Sequence, residues 1–187
     1  MDQQLFLFIH NLAGKSRLLD FLAIFFAEYA GYFLIVAAII LISALNEWKK
    51  RFYYFAWIIL SVVLSRGILT EAIRLIYFKE RPFLALGFNS LISQADKGAF
   101  PSGHAAFYFA LAIPLFFINK KIGWYSIAVA VSIGLARVWV GVHWPLDVVS
   151  GAVVASFSVY VVRLILEPYQ VKKISGAVDG REEGILG

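Results

Sequence analysis

Cysteine is absent from this chain of 187 residues, which removes disulfides, thiolate metal sites and thiol nucleophiles from the chemistry open to it. Any covalent catalysis must use another side chain. Charge is also scarce: Asp, Glu, Lys and Arg make up 16% of the residues against 61% hydrophobic, and the mean hydropathy is +0.78. That balance excludes both a soluble globular enzyme and a disordered chain. Met1 to Gly14 lacks a basic start and a small-residue cleavage site, so it is not expected to be a cleaved signal peptide.

What the chain does have is long apolar runs. Tyr29 to Leu45 contains no charged side chain, close to the length of about 20 residues that crosses a hydrocarbon core of about 30 Å. The hydropathy pattern predicts spanning helices near Leu18–Leu45, Phe52–Ile76, His104–Asn119, Ile122–Val140 and Pro145–Leu166. The expected fold is therefore all-α, a polytopic membrane bundle of about five or six transmembrane helices. Gln3 to Leu12 is too short to cross and is expected to form a short interfacial helix. Residues 1–170 are expected to be the membrane domain, and 171–187 a polar, disordered tail.

The formal net charge is +5, but placement matters more than the sum, and no nucleic-acid partner is implied. Lys49, Lys50 and Arg51, then Lys120 and Lys121, then Lys172 and Lys173 all fall at one end of the predicted spans. The positive-inside rule makes that end cytoplasmic. The other end also holds cations: Lys15, Arg17, Arg74, Lys79, Arg81, Lys97 and Arg137. For Lys15, Arg17, Lys79 and Lys97, snorkelling of long side chains at the interface is an adequate explanation.

Three distant segments meet at this second end: Arg74–Pro82, Pro101–His104 and Arg137–Asp147. Ser102 is a natural helix cap, Gly103 admits close approach to the backbone, and free amides at a helix N-terminus suit an anion. His143 and Asp147 lie four apart at a helix start opened by Pro145. One helical turn lets the carboxylate fix the Nδ1 proton and leave Nε2 as a nucleophile. Arginines offer paired donors to phosphate oxygens. Together these groups describe a site for a dianion such as phosphate, and the chemistry suggested is phosphoryl transfer.

Arg74-Leu-Ile-Tyr-Phe-Lys-Glu-Arg81-Pro82, Pro101-Ser102-Gly103-His104, and Ala136-Arg137 followed by His143 and Asp147 resemble, in order and spacing, the three-part signature of the membrane-integral type-2 phosphatidic acid phosphatase superfamily. The small size and short loops resemble its bacterial undecaprenyl pyrophosphate phosphatases. The resemblance implies that His143 is the nucleophile forming a phosphohistidine, Asp147 its orienting acid and His104 the general acid. Arg74, Arg81, Ser102, Gly103 and Arg137 would hold the phosphate oxygens. It also implies a metal-independent enzyme with no cofactor, acting on a lipid phosphate or diphosphate, most of all undecaprenyl diphosphate, in cell-wall biogenesis. Its place would be the plasma (inner) membrane, with the site on the extracellular or periplasmic side. Two positions depart from the pattern: Arg74 stands where lysine is usual, and Ala136 where serine is usual. Phosphatidylglycerophosphate and phosphatidic acid are competing substrates, and a non-catalytic lipid-phosphate transporter or a silent scaffold are competing readings.

Among the remaining polar residues, Glu28 and Arg66 are expected to pair inside the bundle, and Glu71 to pair with Arg74 three residues on. His10 is assigned no role in catalysis. Trp139, Trp144, Trp48 and Trp124 fit interfacial aromatic belts.

Overall fold

The structure is a computed structural model that describes residues 1–94 and 98–182, with side chains described as far as Pro168. Among the described residues every regular element is helical: α1 (Asp2–His10), α2 (Arg17–Glu28), α3 (Ala30–Ser43), α4 (Trp48–Val62), a π-helical segment (Val63–Leu69), α5 (Thr70–Ile76), α6 (Pro82–Ala85), α7 (Gly103–Ile118), α8 (Lys120–Trp139) and α9 (Pro145–Glu182). The expected boundary near residue 170 falls where side chains lie outside the described residues.

Three helical runs are long and apolar enough to cross a membrane: Trp48–Ile76, Lys120–Trp139 and Pro145–Pro168. A fourth crossing forms if α2 and α3, bent by 48° at Tyr29, count as one span. The remaining apolar helix, α7, has 16 residues and reaches only about 24 Å at about 1.5 Å per residue. Its first residues belong to the Pro-Ser-Gly-His segment, so the helix starts at the site instead of at the membrane rim. The predicted span from Leu18 is thus two helices, and the third predicted span is the short helix α7, which links the site to the Lys120–Lys121 end of the bundle.

Large apolar side chains such as Ile40, Val153 and Phe157 point outward from the bundle. In water these faces would be a liability, but in hydrocarbon they are matched. The chain is a multi-pass membrane protein.

Helix α7 is the centre of the bundle and packs against α3, α4, α8, α9 and the π-helical segment. Its buried face is built from Ala105, Ala106, Ala110 and Ala112, small residues that let neighbouring backbones approach closely. Ser102 caps α7 by accepting from the Ala105 amide at 3.4 Å, and Asn119 caps α8 by accepting from the Ile122 amide at 3.1 Å.

Helix α1 is docked on the loops at one end. Phe6 is fully buried against His10, Phe88 and Trp144, and His10 Nδ1 lies 2.7 Å from the Trp139 carbonyl. His10 is therefore a structural pin. Opposite it the chain turns at Gly141 with φ +88°, where a side chain would meet both Phe88 and His10. Trp144 is not a belt residue, because it is buried and donates from Nε1 to the Glu80 carbonyl at 2.8 Å. Trp139 likewise donates to Asp20 at 3.0 Å, whereas Trp48 and Trp124 are exposed as a belt requires.

Candidate active site

The three motif segments converge. A cavity of about 400 Å³ is lined by Arg74, Arg81, Gly103, His104 and His143, with Ser102, Arg137 and Asp147 buried behind them. The second and third segments are joined through backbone, since the Ser102 amide donates to the Asp147 carbonyl at 2.9 Å. One turn along α7, Phe107 and Tyr108 meet Ile35 of α3 to form an apolar wall.

His143 lies in the short turn between α8 and α9. Its Nε2 is 3.4 Å from Arg81 Nη1, and its Nδ1 is 3.6 Å from Asp147 Oδ2. The second distance is within ion-pair range but longer than a hydrogen bond, so Nδ1 is a buried nitrogen without a hydrogen-bond partner among the described residues. Burial, and then the Arg81 and Arg137 guanidinium groups, push the imidazole pKa from 6.5 down to about 4 against the opposing pull of Asp147. At neutral pH the ring is uncharged and one of its nitrogens can act as a nucleophile.

Asp147 has no exposed surface and both oxygens are occupied. Oδ2 accepts from the Trp144 amide at 2.9 Å and Oδ1 from Lys79 Nζ at 2.8 Å. Lys79 also donates to Asp2 Oδ2 at 2.8 Å, and Asp2 Oδ1 accepts from the Leu146 amide at 3.0 Å. The interfacial snorkelling expected for Lys79 is therefore replaced by a bridge between α1 and the start of α9. Burial alone would lower its pKa, but the two carboxylates outweigh burial and raise it above 10.5.

The arginines are each anchored through part of the guanidinium. Arg74 donates to the Pro101 carbonyl at 3.0 Å and pairs with Glu71 at 3.1 Å, as expected for that pair. Arg137 donates to the Ala27 carbonyl at 3.5 Å and to the Gln94 side chain. Arg81 donates to the Val142 carbonyl at 2.9 Å. The Nε atoms of Arg74 and Arg137 are buried with no partner among the described residues. Spare buried donors around a cationic cavity suit an anion, because each is costly until it is paired.

Arg66 does not pair with Glu28. It pairs with Glu71, the carboxylate that also holds Arg74, and lines the cavity. Glu28 is instead exposed at the end of α2. Gln94 on the long loop lines the cavity too. Sequence reasoning missed Arg66, Gln94 and Lys79 as residues of the site region.

An all-helical membrane bundle whose one end gathers histidines, a buried carboxylate and arginines around a cationic cavity fits the class of membrane-integral phosphoryl-transfer proteins. The sequence profile of the PAP2 superfamily matches residues 55–169. The chain is 36% identical over 157 residues to the undecaprenyl-diphosphatase BcrC of Bacillus subtilis, covering 83% of this chain and 79% of that one. Among solved structures it is similar to LpxE of Aquifex aeolicus, with a TM-score of 0.70 at 28% identity over 86% of this chain and 93% of that one. It also shares the fold of a PAP2-type phosphatidylglycerolphosphate phosphatase from Bacillus subtilis, with a TM-score of 0.60 at 20% identity over 89% of this chain and 86% of that one. The chain belongs to the PAP2 superfamily and is a membrane lipid phosphatase.

Proposed function

We propose that this phosphatase hydrolyses undecaprenyl diphosphate to undecaprenyl phosphate through a phosphohistidine on His143. The observation that carries the reading is the placement of His143, with Nε2 beside Arg81 at 3.4 Å and Nδ1 facing Asp147 at 3.6 Å. An imidazole so placed presents one nitrogen to a phosphate and the other to an anion. Similarity to an undecaprenyl-diphosphatase over most of both chains supports the substrate.

In the first step His143 Nε2 bonds to the terminal phosphorus while the bond from that phosphorus to the bridging oxygen breaks. The electron pair goes to the bridging oxygen and His104 delivers a proton there, releasing the lipid monophosphate. Asp147 offsets the positive charge that forms on the imidazole. Water then attacks the phosphohistidine, His104 takes the water's proton, and orthophosphate leaves with His143 restored. Arg74, Arg81, Arg137, Ser102 and the Gly103 amide bind the equatorial oxygens, whose charge grows in the transition state. No step calls for a metal.

The site end of the bundle is opposite the ends that carry Lys49, Lys50 and Arg51 and Lys120 and Lys121. The positive-inside rule supports a plasma membrane protein whose site opens to the extracellular or periplasmic side.

The test is phosphate release by purified protein in detergent across isoprenoid and glycerolipid phosphates, with and without chelator. Release from the isoprenoid diphosphate that survives chelator, is lost in His143→Ala, and traps a labelled protein phosphate on acid-free quenching supports the reading. Undiminished turnover by a folded His143→Ala protein removes it. Binding of the lipid without any release would instead favour a transporter.

A further inference from the structure

Arg66 reaches the cavity because of a local departure from the α-helix. At about 100° per residue, positions five apart on an unbroken α-helix point about 140° apart, and positions eight apart diverge by about 80°. Arg66 nevertheless pairs with Glu71, five residues on, and lines the same cavity as Arg74, eight residues on. The π-helical run Val63–Leu69 supplies the difference. Its i to i+5 repeat stacks Arg66 on Glu71, and the one extra residue brings Arg66 to within about 20° of Arg74. Ser65 locks the segment by donating to the Ala106 carbonyl at 3.0 Å.

This device adds a fourth arginine to Arg74, Arg81 and Arg137, one to which the proposed single-phosphate chemistry assigns no role. The Arg66 side chain lies flat over Gly103, so close that a methyl group there would fall 2.6 Å from its Nε. Arg66 and His104 line the same cavity, with Gly103, the residue before His104, directly beneath the Arg66 side chain. In-line attack by His143 sets the leaving oxygen on the side of the phosphorus away from Nε2, which is the side of the general acid. Whatever the leaving oxygen carries therefore faces Arg66. Arg66, Glu71 and Arg74 together keep a net charge of +1, from two guanidinium groups and one carboxylate.

We infer that Arg66 is a specificity-determining residue that binds the lipid-attached phosphate of a diphosphate substrate. A monophosphate has only an alkyl chain at that point. A diphosphate has a charged group whose negative charge grows as the bridging bond breaks, and Arg66 answers it. The inference rests on the proposed phosphatase reading and names the residue by which that site would tell a lipid diphosphate from a monophosphate.

The experiment compares kcat/KM for a polyprenyl diphosphate and the polyprenyl monophosphate of the same chain length, using purified full-length wild type, Arg66→Gln and Arg66→Lys. A charge-assisted hydrogen bond lost in the transition state corresponds to a fall of about 10- to 100-fold on the diphosphate in Arg66→Gln. The monophosphate rate is expected to change less than about threefold, and Arg66→Lys to recover part of the loss. Inhibition by inorganic pyrophosphate is expected to weaken in Arg66→Gln while inhibition by orthophosphate stays as in wild type, a readout that needs no turnover. Equal losses on both substrates with parallel weakening of both inhibitors, or no loss on either, overturn the role of Arg66 and leave the phosphatase reading intact. A wild type that cleaves neither lipid overturns both.

Discussion

Lys79 holds Oδ1 of Asp147 at 2.8 Å, on the same carboxylate whose other oxygen faces the His143 ring. Because Lys79 is also bound to Asp2, the carboxylate that faces the proposed nucleophile His143 is tied to the first turn of α1. Asp147 is fully buried, so removing the ammonium leaves a carboxylate that keeps the Trp144 amide but has lost the cation at hydrogen-bond distance. Breaking a buried pair in this way costs about 3 kcal/mol. Lys79→Met is expected to lower the Tm in detergent and reduce kcat about tenfold or more, with a smaller effect on KM. Asp2→Asn keeps the Lys79–Asp147 contact and is expected to retain most activity. Equal kcat in Lys79→Met and wild type would remove Lys79 as a positioning residue.

His143 gives a pH prediction with a definite sign. Its pKa is lowered from 6.5 to about 4, chiefly by burial. The folded protein therefore binds fewer protons than the unfolded chain between those values. Stability attached to the neutral ring is complete above pH 6.5, declines as the pH falls from 6.5 towards 4, and changes little below. Imidazole-labelled protein contains three histidines, assignable with His10 and His104 variants. NMR titration is expected to show the His143 signal changing with a midpoint near 4. A midpoint at or above 6.5 would contradict the desolvated environment.

The legible part of the site was the part written in residue types at fixed intervals. His143 and Asp147 lie four apart where α9 begins, and Pro-Ser-Gly-His announces a helix start, so their placement at one end of the bundle could be read from residue type and spacing, whereas the roles given to them come from the resemblance to the phosphatase superfamily. Arg66 could not be placed, because assigning a face to a helical residue assumes an uninterrupted α-helical phase. A single π insertion moves it from the supposed partner Glu28 to Glu71. Lys79 was illegible for another reason: its partners lie 77 and 68 residues away and depend on α1 folding back through buried Phe6. Helix existence followed from hydropathy, whereas the 48° bend after α2 lies inside the single span expected from Leu18 to Leu45 and leaves no mark in hydropathy.

If Arg137 holds phosphate as proposed, Gln94 competes with substrate for its guanidinium. Its side-chain oxygen accepts from Arg137 Nη2, so an entering phosphate must displace that contact to use the donor. A net hydrogen bond is worth about 1 kcal/mol, or about fivefold in affinity. Gln94→Ala is expected to tighten orthophosphate inhibition by about that factor with little change in kcat. Weaker inhibition would show instead that Gln94 itself binds the ligand.

Gly103→Ala offers an independent check on the arrangement around Arg66. The added methyl would meet Arg66 Nε at 2.6 Å and Cδ at 3.0 Å, both on a long side chain that is 38% exposed and able to move. The clash should therefore be relieved by displacing Arg66, with the helices left in place, so the variant is expected to fold with a small loss of Tm. Both lipids are expected to lose some rate, because on the proposed mechanism the Gly103 amide borders the attacked phosphate. The ratio of diphosphate to monophosphate kcat/KM is expected to fall in the same direction as in Arg66→Gln. In an Arg66→Gln background the same glycine change should alter that ratio much less, since the guanidinium it displaces is already gone. Strictly additive effects of the two changes on the ratio would mean that Gly103 does not act on substrate choice through Arg66.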